Sequence, residues 1–90
     1  MLVAELSFHL EGIDSLKDKR RLRQSLIERL SRTYRSSAAE VADQDRRDTL
    51  SVGVALVGSD RRVLEKTMDR IVAQATREIG DPFLAIREFR

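Results

Sequence analysis

The chain has no cysteine, no tryptophan and no asparagine, and it has one proline and one histidine. Without cysteine there is no disulfide, no thiolate nucleophile and no cysteine-ligated metal. This argues against a small secreted protein that is stabilised by disulfides. The longest apolar run, residues 52–57, is too short to span a bilayer, and the start of the sequence has no basic segment typical of a signal peptide. We therefore expect a cytoplasmic protein that does not enter a membrane.

Ninety residues with 41% hydrophobic and 36% charged side chains are typical of a small globular domain. This length is enough for one two-layer core and leaves no room for a second unit. We interpret residues 1–90 as a single domain, so any function must be located on its surface.

The first third of the chain has the pattern of a strand followed by a helix. Apolar and polar residues alternate along residues 2–10, which predicts a strand with one buried face. After a break at residues 12–14, Ser15 and Asp18 have the spacing of a helix N-cap and its third helical position. Apolar residues then recur at spacings of three and four, and these predict an amphipathic helix to about residue 34.

The remaining elements are two strands, a second helix and a last strand. Residues 38–42 form a weak strand, residues 43–48 a charged hairpin tip and residues 50–56 an alternating strand. Asp60 is the expected N-cap of a second amphipathic helix, which ends at Gly80 and Pro82. Residues 83–89 form the last strand, in which either Leu84 and Ile86 or the row of Phe83, Ala85 and Phe89 could be the buried side.

The order β-α-β-β-α-β predicts an α+β fold of the ferredoxin-like kind. Right-handed crossovers give a two-layer sandwich, with a four-stranded antiparallel sheet and both helices on one of its faces. The first and third strands, the most apolar ones, are expected in the centre, and the other two at the edges.

The open face of this sheet is predicted to be small and nearly flat. RNA-recognition motifs share the topology but stack bases on aromatic residues of the central strands, and no aromatic residue stands at those positions. Small side chains allow a second sheet to approach closely, although an ordinary solvated face would look the same. The candidate residues for a homodimer interface are Val3, Ser7, Ser51, Gly53 and Ala55.

The residues do not indicate a metal site or a catalytic site. His9 has only Glu5 and Glu11 near it in the sequence, fewer ligands than a transition-metal site needs, and it lacks the nucleophile and acid of a hydrolytic triad. Acylphosphatases share the topology but use an asparagine, which the chain lacks. We therefore expect a protein that is not an enzyme and that uses no metal and no cofactor.

The most informative surface feature is a concentration of cations on the first helix. Residues 16–35 carry eight cations against Asp18 and Glu28, a local charge of +6 in a chain whose net charge is +2. Many lie near the helix N-terminus, where the helix dipole disfavours positive charge but where backbone amides favour phosphate. We call this candidate anion- or nucleic-acid-binding set the basic band, and it comprises Lys17, Lys19, Arg20, Arg21, Arg23, Arg32 and Arg35.

Helical periodicity divides the basic band into two groups. Lys19 and Arg23 fall within the apolar stripe and should be partly covered, whereas the other five cations fall on the outer face. The inner pair could serve an anionic ligand, or it could extend aliphatic stems over the sheet and pair with Asp14, Asp43 or Asp45. For the outer cations, the alternative to a binding surface is a solvated face.

Several segments resemble the bacterial YlxP-like family, a group described as a domain of unknown function. The most specific is the string Ser-Leu-Lys-Asp-Lys-Arg at residues 15–20, supported by segments 39–41, 52–55 and 59–60. The resemblance spans nearly the whole chain, although Arg46 and Arg47 depart from the more hydrophobic hairpin tip of the family. It implies a ferredoxin-like fold and a small cytoplasmic protein, often encoded near translation initiation and ribosome maturation factors. It implies no established activity and no catalytic residues.

Three hypotheses for function follow. The leading one is a non-enzymatic accessory module that is associated with RNA or the ribosome and that contacts phosphates through the basic band. The alternative is a homodimeric ligand-sensing or scaffolding domain, similar in topology to ACT domains, that assembles through the open sheet face or a sheet edge. A phosphate-ester or acyl-phosphate hydrolase is the third.

Overall fold

Six elements follow one another in the predicted order. A computed structural model describes residues 1–90 and has strands β1 (Leu2–His9), β2 (Ser37–Ala42), β3 (Thr49–Leu56) and β4 (Leu84–Phe89). The helices are α1 (Leu16–Tyr34) and α2 (Arg61–Ile79). Neither helix is long and apolar enough to cross a membrane.

The four strands form one antiparallel sheet in the order β2-β3-β1-β4, so the prediction that β1 and β3 are central is confirmed. In the register of the two central strands, Leu6 lies opposite Val52 and Phe8 lies opposite Leu50. These four side chains are buried on the same side of the sheet. The α+β, ferredoxin-like arrangement is thereby confirmed.

Both helices bury their apolar stripes against this side of the sheet. Leu26 and Leu30 come from α1, and Met68 and Ile71 from α2; all four are fully buried. The predicted caps are present, since the Asp18 amide donates to the Ser15 hydroxyl and two amides of the first turn of α2 donate to the Asp60 carboxylate. The helices therefore begin where the sequence places their caps.

The sheet register settles which side of β4 faces the helices. Ala85 lies opposite Leu6 and Phe89 lies opposite Leu2, so these two residues point towards the helical layer. Leu84 and Ile86 point to the open face. Phe83 lies just before β4 and stacks on His9, with ring centroids 4.4 Å apart.

A shallow groove of about 410 Å³ runs across the open face, with Val3, Val41 and Ile86 among its apolar residues and charged residues such as Glu5 and Glu88 also in its lining. It exists because Gly53 has no side chain: a Cβ there would lie 2.7 Å from Cγ1 of Val41. Val41 lies in the irregular part of β2, where the pairing with β3 shifts between Glu40 and Ala42. This bulge and the missing side chain together shape the groove.

We expect the substitution Gly53→Ala to be tolerated better in a Val41→Ala background than in the wild type. The added methyl group would collide with Val41 unless that side chain is shortened. Urea denaturation of the two single variants and the double variant should give a favourable coupling of about 0.5–3 kcal/mol in the free energy of unfolding. Effects that add within about 0.3 kcal/mol would contradict the proposed contact.

Candidate functional site

The ammonium group of Lys19 is buried between α1 and the hairpin that joins β2 to β3. Lys19 is only 2% exposed, and its Nζ donates to the backbone oxygens of Asp43 (2.6 Å) and Arg46 (2.5 Å). Nζ also lies 2.9 Å from Oε2 of Glu40, a residue of β2. Two hydrogen bonds and one ion pair thus hold the ammonium group within the chain, and its burial closes it to an external anion.

Arg23 lies one helical turn after Lys19 and shares the same acid. Its Nη1 donates to Oε1 of Glu40 at 3.0 Å, and the Glu40 side chain is only 6% exposed. Oε2 of Glu40 has no hydrogen bond, so its only partner is the ammonium of Lys19, as an ion pair. Of the two explanations for the inner cations, the contacts favour intramolecular pairing, with Glu40 as the acid in place of the predicted Asp14, Asp43 or Asp45.

The hairpin tip is held from the sheet side as well. Asp43 adopts the left-handed backbone conformation, with φ 58°, and its Oδ2 accepts a hydrogen bond from the Ser51 hydroxyl at 3.0 Å. The Ser51 and Ser7 hydroxyls are hydrogen-bonded at 2.8 Å, and both residues are buried. Among the interface candidates, Ser7 and Ser51 are thus occupied inside the chain, and Val3, Gly53 and Ala55 are half-exposed.

Further along the tip, Arg46 and Asp48 form an exposed ion pair. Nε and Nη2 of Arg46 donate to the two carboxylate oxygens of Asp48 at 3.2 and 3.3 Å. These hydrogen bonds and the positive charge of Arg46 hold the pKa of the Asp48 carboxyl below its ordinary value. Asp48 therefore remains ionised to lower pH than a free aspartate.

The outer cations of the basic band are free of acids. All five are exposed, and none forms an ion pair with a carboxylate of the chain. They follow α1 from its first turn to Arg35, which ends the helix in a left-handed conformation. The residues are Lys17, Arg20, Arg21, Arg32 and Arg35.

A second row of cations lies on α2, and sequence reasoning did not identify it. Its members are exposed and unpaired, and the spacings of four, four and seven residues place them on one face. That spacing is the signal in the sequence for this row, although the positive charge is more concentrated on α1. The residues are Arg62, Lys66, Arg70 and Arg77.

The two rows belong to one layer because α1 and α2 contact each other. The Tyr34 hydroxyl donates to Oε1 of Gln74 at 2.7 Å, and Arg29 pairs with Glu78. We call these nine exposed cations, the five on α1 and the four on α2, the helical basic surface; Arg61 is also exposed and free of acids but is not counted, because its guanidinium lies over the Phe89 ring, 5.0 Å from the ring centroid. All three acids of α2 are occupied, Glu78 by Arg29 and the other two, Glu65 and Asp69, by Arg87.

A polar pocket of about 260 Å³ lies between the start of α1 and the hairpin tip. Arg20 and Arg23 line it from α1, and Gln44 and Asp45 line it from the tip. Arg20 is the one cation there without an intramolecular partner, because Lys19 and Arg23 are occupied by Glu40. The pocket can therefore add a contact at the end of the helical basic surface, but it does not concentrate charge as a dedicated anion site would.

One protein family matches nearly the whole chain. A family described as "Protein of unknown function (DUF503)" matches residues 1–87. The chain belongs to this family. No curated protein matches the chain. The DUF503 description names no activity, and the exposed residues of this DUF503 chain are the remaining indication of its function.

We expect Lys19→Met to lower the free energy of unfolding by about 3–5 kcal/mol, because it leaves Oε2 of the buried Glu40 and two backbone oxygens without a partner. Amides of the hairpin tip should also exchange with solvent faster than in the wild type. Urea denaturation and hydrogen exchange measure the two effects.

Lys17→Met is the matched control for this prediction. It removes the same charge from an exposed position two residues earlier on α1 and should change stability by no more than about 0.5 kcal/mol. Replacing Lys19 and Glu40 together with methionine should be less damaging than the sum of the single changes. Equal effects of Lys19→Met and Lys17→Met would show that Lys19 does not hold the tip.

Proposed function

We propose that the chain is a non-enzymatic accessory module that binds the phosphates of RNA through its helical basic surface. The observation that carries the proposal is the imbalance of free charge on the helices. The nine cations of this surface have no carboxylate partner, whereas only Asp18 and Glu28 remain on the helices as acids outside ion pairs. A surface with this imbalance attracts polyanions and releases their counterions on binding.

The type of cation favours phosphate. Seven of the nine are arginines, whose planar guanidinium groups donate two parallel hydrogen bonds to phosphate oxygens. The helices offer no aromatic residue for stacking on their outer faces, so the contacts would be to the nucleic-acid backbone and would carry little sequence information. An accessory role beside other RNA-binding components agrees with such contacts.

The ribosome is the RNA partner in this proposal, and the resemblance to the YlxP-like family supports it through the gene neighbourhood that the family implies. A bacterial, cytoplasmic setting belongs to the same proposal. Lys19 is not part of the contact surface, because its ammonium group is buried and held within the chain. Arg23 has a 30% exposed side chain and lies at the margin of the surface.

We expect Arg20→Gln with Arg21→Gln to weaken the binding of ribosomal RNA. The slope of the logarithm of the binding constant against the logarithm of the salt concentration should become shallower by about one unit for each lost phosphate contact. Fluorescence anisotropy with labelled RNA fragments at several salt concentrations measures both quantities, and co-sedimentation with ribosomes extends the test to the assembled partner.

The control is Arg46→Gln with Arg90→Gln, which changes the net charge by the same amount. These arginines already pair with Asp48 and Glu88, outside the helices. This variant should bind RNA nearly as well as the wild type. Equal weakening by the two double variants would mean that net charge alone is responsible, and undetectable binding by the wild type would refute the function.

The row on α2 gives a separate prediction. Arg70→Gln with Arg77→Gln should weaken RNA binding to an extent similar to the change on α1, since both rows lie in one layer. The same anisotropy series measures it, with circular dichroism to verify the fold. Binding that depends on α1 but not on α2 would reduce the site to the outer cations of the basic band.

A further inference from the structure

Strand β4 is an exposed edge of the sheet with apolar side chains on both of its faces. Ile86 is 53% exposed and Leu84 is 39% exposed on the open face, and Phe89 is exposed on the helical side. Every residue of β4 is exposed. Soluble proteins usually protect an edge of this kind, because a regular apolar edge is a template for another strand.

The backbone of β4 has unpaired groups directed away from the sheet. Met1 and Arg90 exchange both of their backbone hydrogen bonds, which fixes the alternation along the antiparallel pair of β1 and β4. Residues 84, 86 and 88 direct their amides and carbonyls towards β1. The corresponding groups of Ala85, Arg87 and Phe89 point outwards, where no strand of the chain meets them.

The charges on β4 do not guard this edge. Both Nη atoms of Arg87 contact acids of α2, at 3.4 Å from Glu65 and 2.8 Å from Asp69, and Glu88 pairs with Arg90 at 3.0 Å. Each charged side chain of the strand thus has a partner of opposite charge within the chain. Neither would be left as a free charge facing an incoming strand.

We propose that β4 pairs antiparallel with β4 of a second copy of this chain, with the two-fold axis at Ile86. An axis at Arg87 would place Arg87 opposite its own copy, and an axis at Glu88 would do the same with Glu88, so like charges would meet. An axis at Ala85 would shorten the overlap of the two strands. Only the axis at Ile86 combines a long overlap with no facing pair of like charges.

In this register the outward backbone groups match. Ala85 lies opposite Arg87 of the second copy in a hydrogen-bonded pair, and the small Ala85 leaves room for the stem of Arg87. Ile86 meets Ile86 at the axis in a non-hydrogen-bonded pair, where facing side chains approach most closely. The two sheets become one sheet of eight strands, and the grooves that Ile86 lines adjoin. This assembly does not depend on RNA binding.

The mass of the full chain in solution is the first test. Light scattering or sedimentation over a concentration series should approach twice the chain mass for the wild type. Ile86→Lys places two ammonium groups at the axis and should weaken dimerisation by more than about tenfold. Val57→Lys changes an 85% exposed valine outside β4 and should leave the dimer intact. A monomeric wild type, or a dimer that survives Ile86→Lys, would overturn the proposal.

The register has its own test because the chain contains no cysteine. Under mild oxidation, Ile86→Cys should form an intermolecular disulfide much faster than Glu88→Cys or Val57→Cys, since only residue 86 meets its own copy. The reaction is followed on non-reducing gels, and circular dichroism verifies the fold of each variant. Faster cross-linking of Glu88→Cys, or equal rates for all three variants, would refute the axis at Ile86.

Discussion

A buried ammonium group is stable only when hydrogen bonds and an opposite charge replace its water, and the position of the hairpin tip depends on how Lys19 meets this requirement. Two acceptors are backbone oxygens of the hairpin tip, and the third partner is Glu40 on the edge strand β2. One side chain of α1 therefore determines where the hairpin tip lies relative to the helical layer. Arg23 then binds the other oxygen of Glu40, and the inner cations are both occupied.

This arrangement separates the cations of the chain by their accessibility. The inner cations are used for folding, whereas the outer cations of α1 and the row on α2 remain free in water. The acids of α2 do not compensate this charge, because Arg29 and Arg87 occupy them. The net charge of the chain is only +2, but the helical layer on one side of the sheet is strongly positive.

The sequence predicted the elements well because their signals are local. The alternation in β1, the caps at Ser15 and Asp60 and the stripe on each helix depend on neighbouring residues only. The partners of Lys19 could not be predicted in the same way, since two of them are backbone oxygens of a loop. Every residue type has a backbone oxygen, so the sequence does not indicate which ones accept these hydrogen bonds. The contacts of Glu40 could not be predicted either, because they depend on the register of β2, a strand with only a weak signal in the sequence. The sequence also could not predict which side of β4 faces the helices, because both rows of side chains are apolar and only pairing with β1 distinguishes them.

The two edges of the sheet differ in a way that limits how the protein could assemble. Strand β2 has a bulge between Glu40 and Ala42, and its inward side chain Glu40 is committed to Lys19. A bulged strand is a poor template for continued pairing, whereas β4 is regular. Pairing through β4 would bury the regular edge of each copy, and only the two bulged β2 edges would remain exposed. Association would therefore close at two chains by symmetry, and the same asymmetry opposes open-ended fibres.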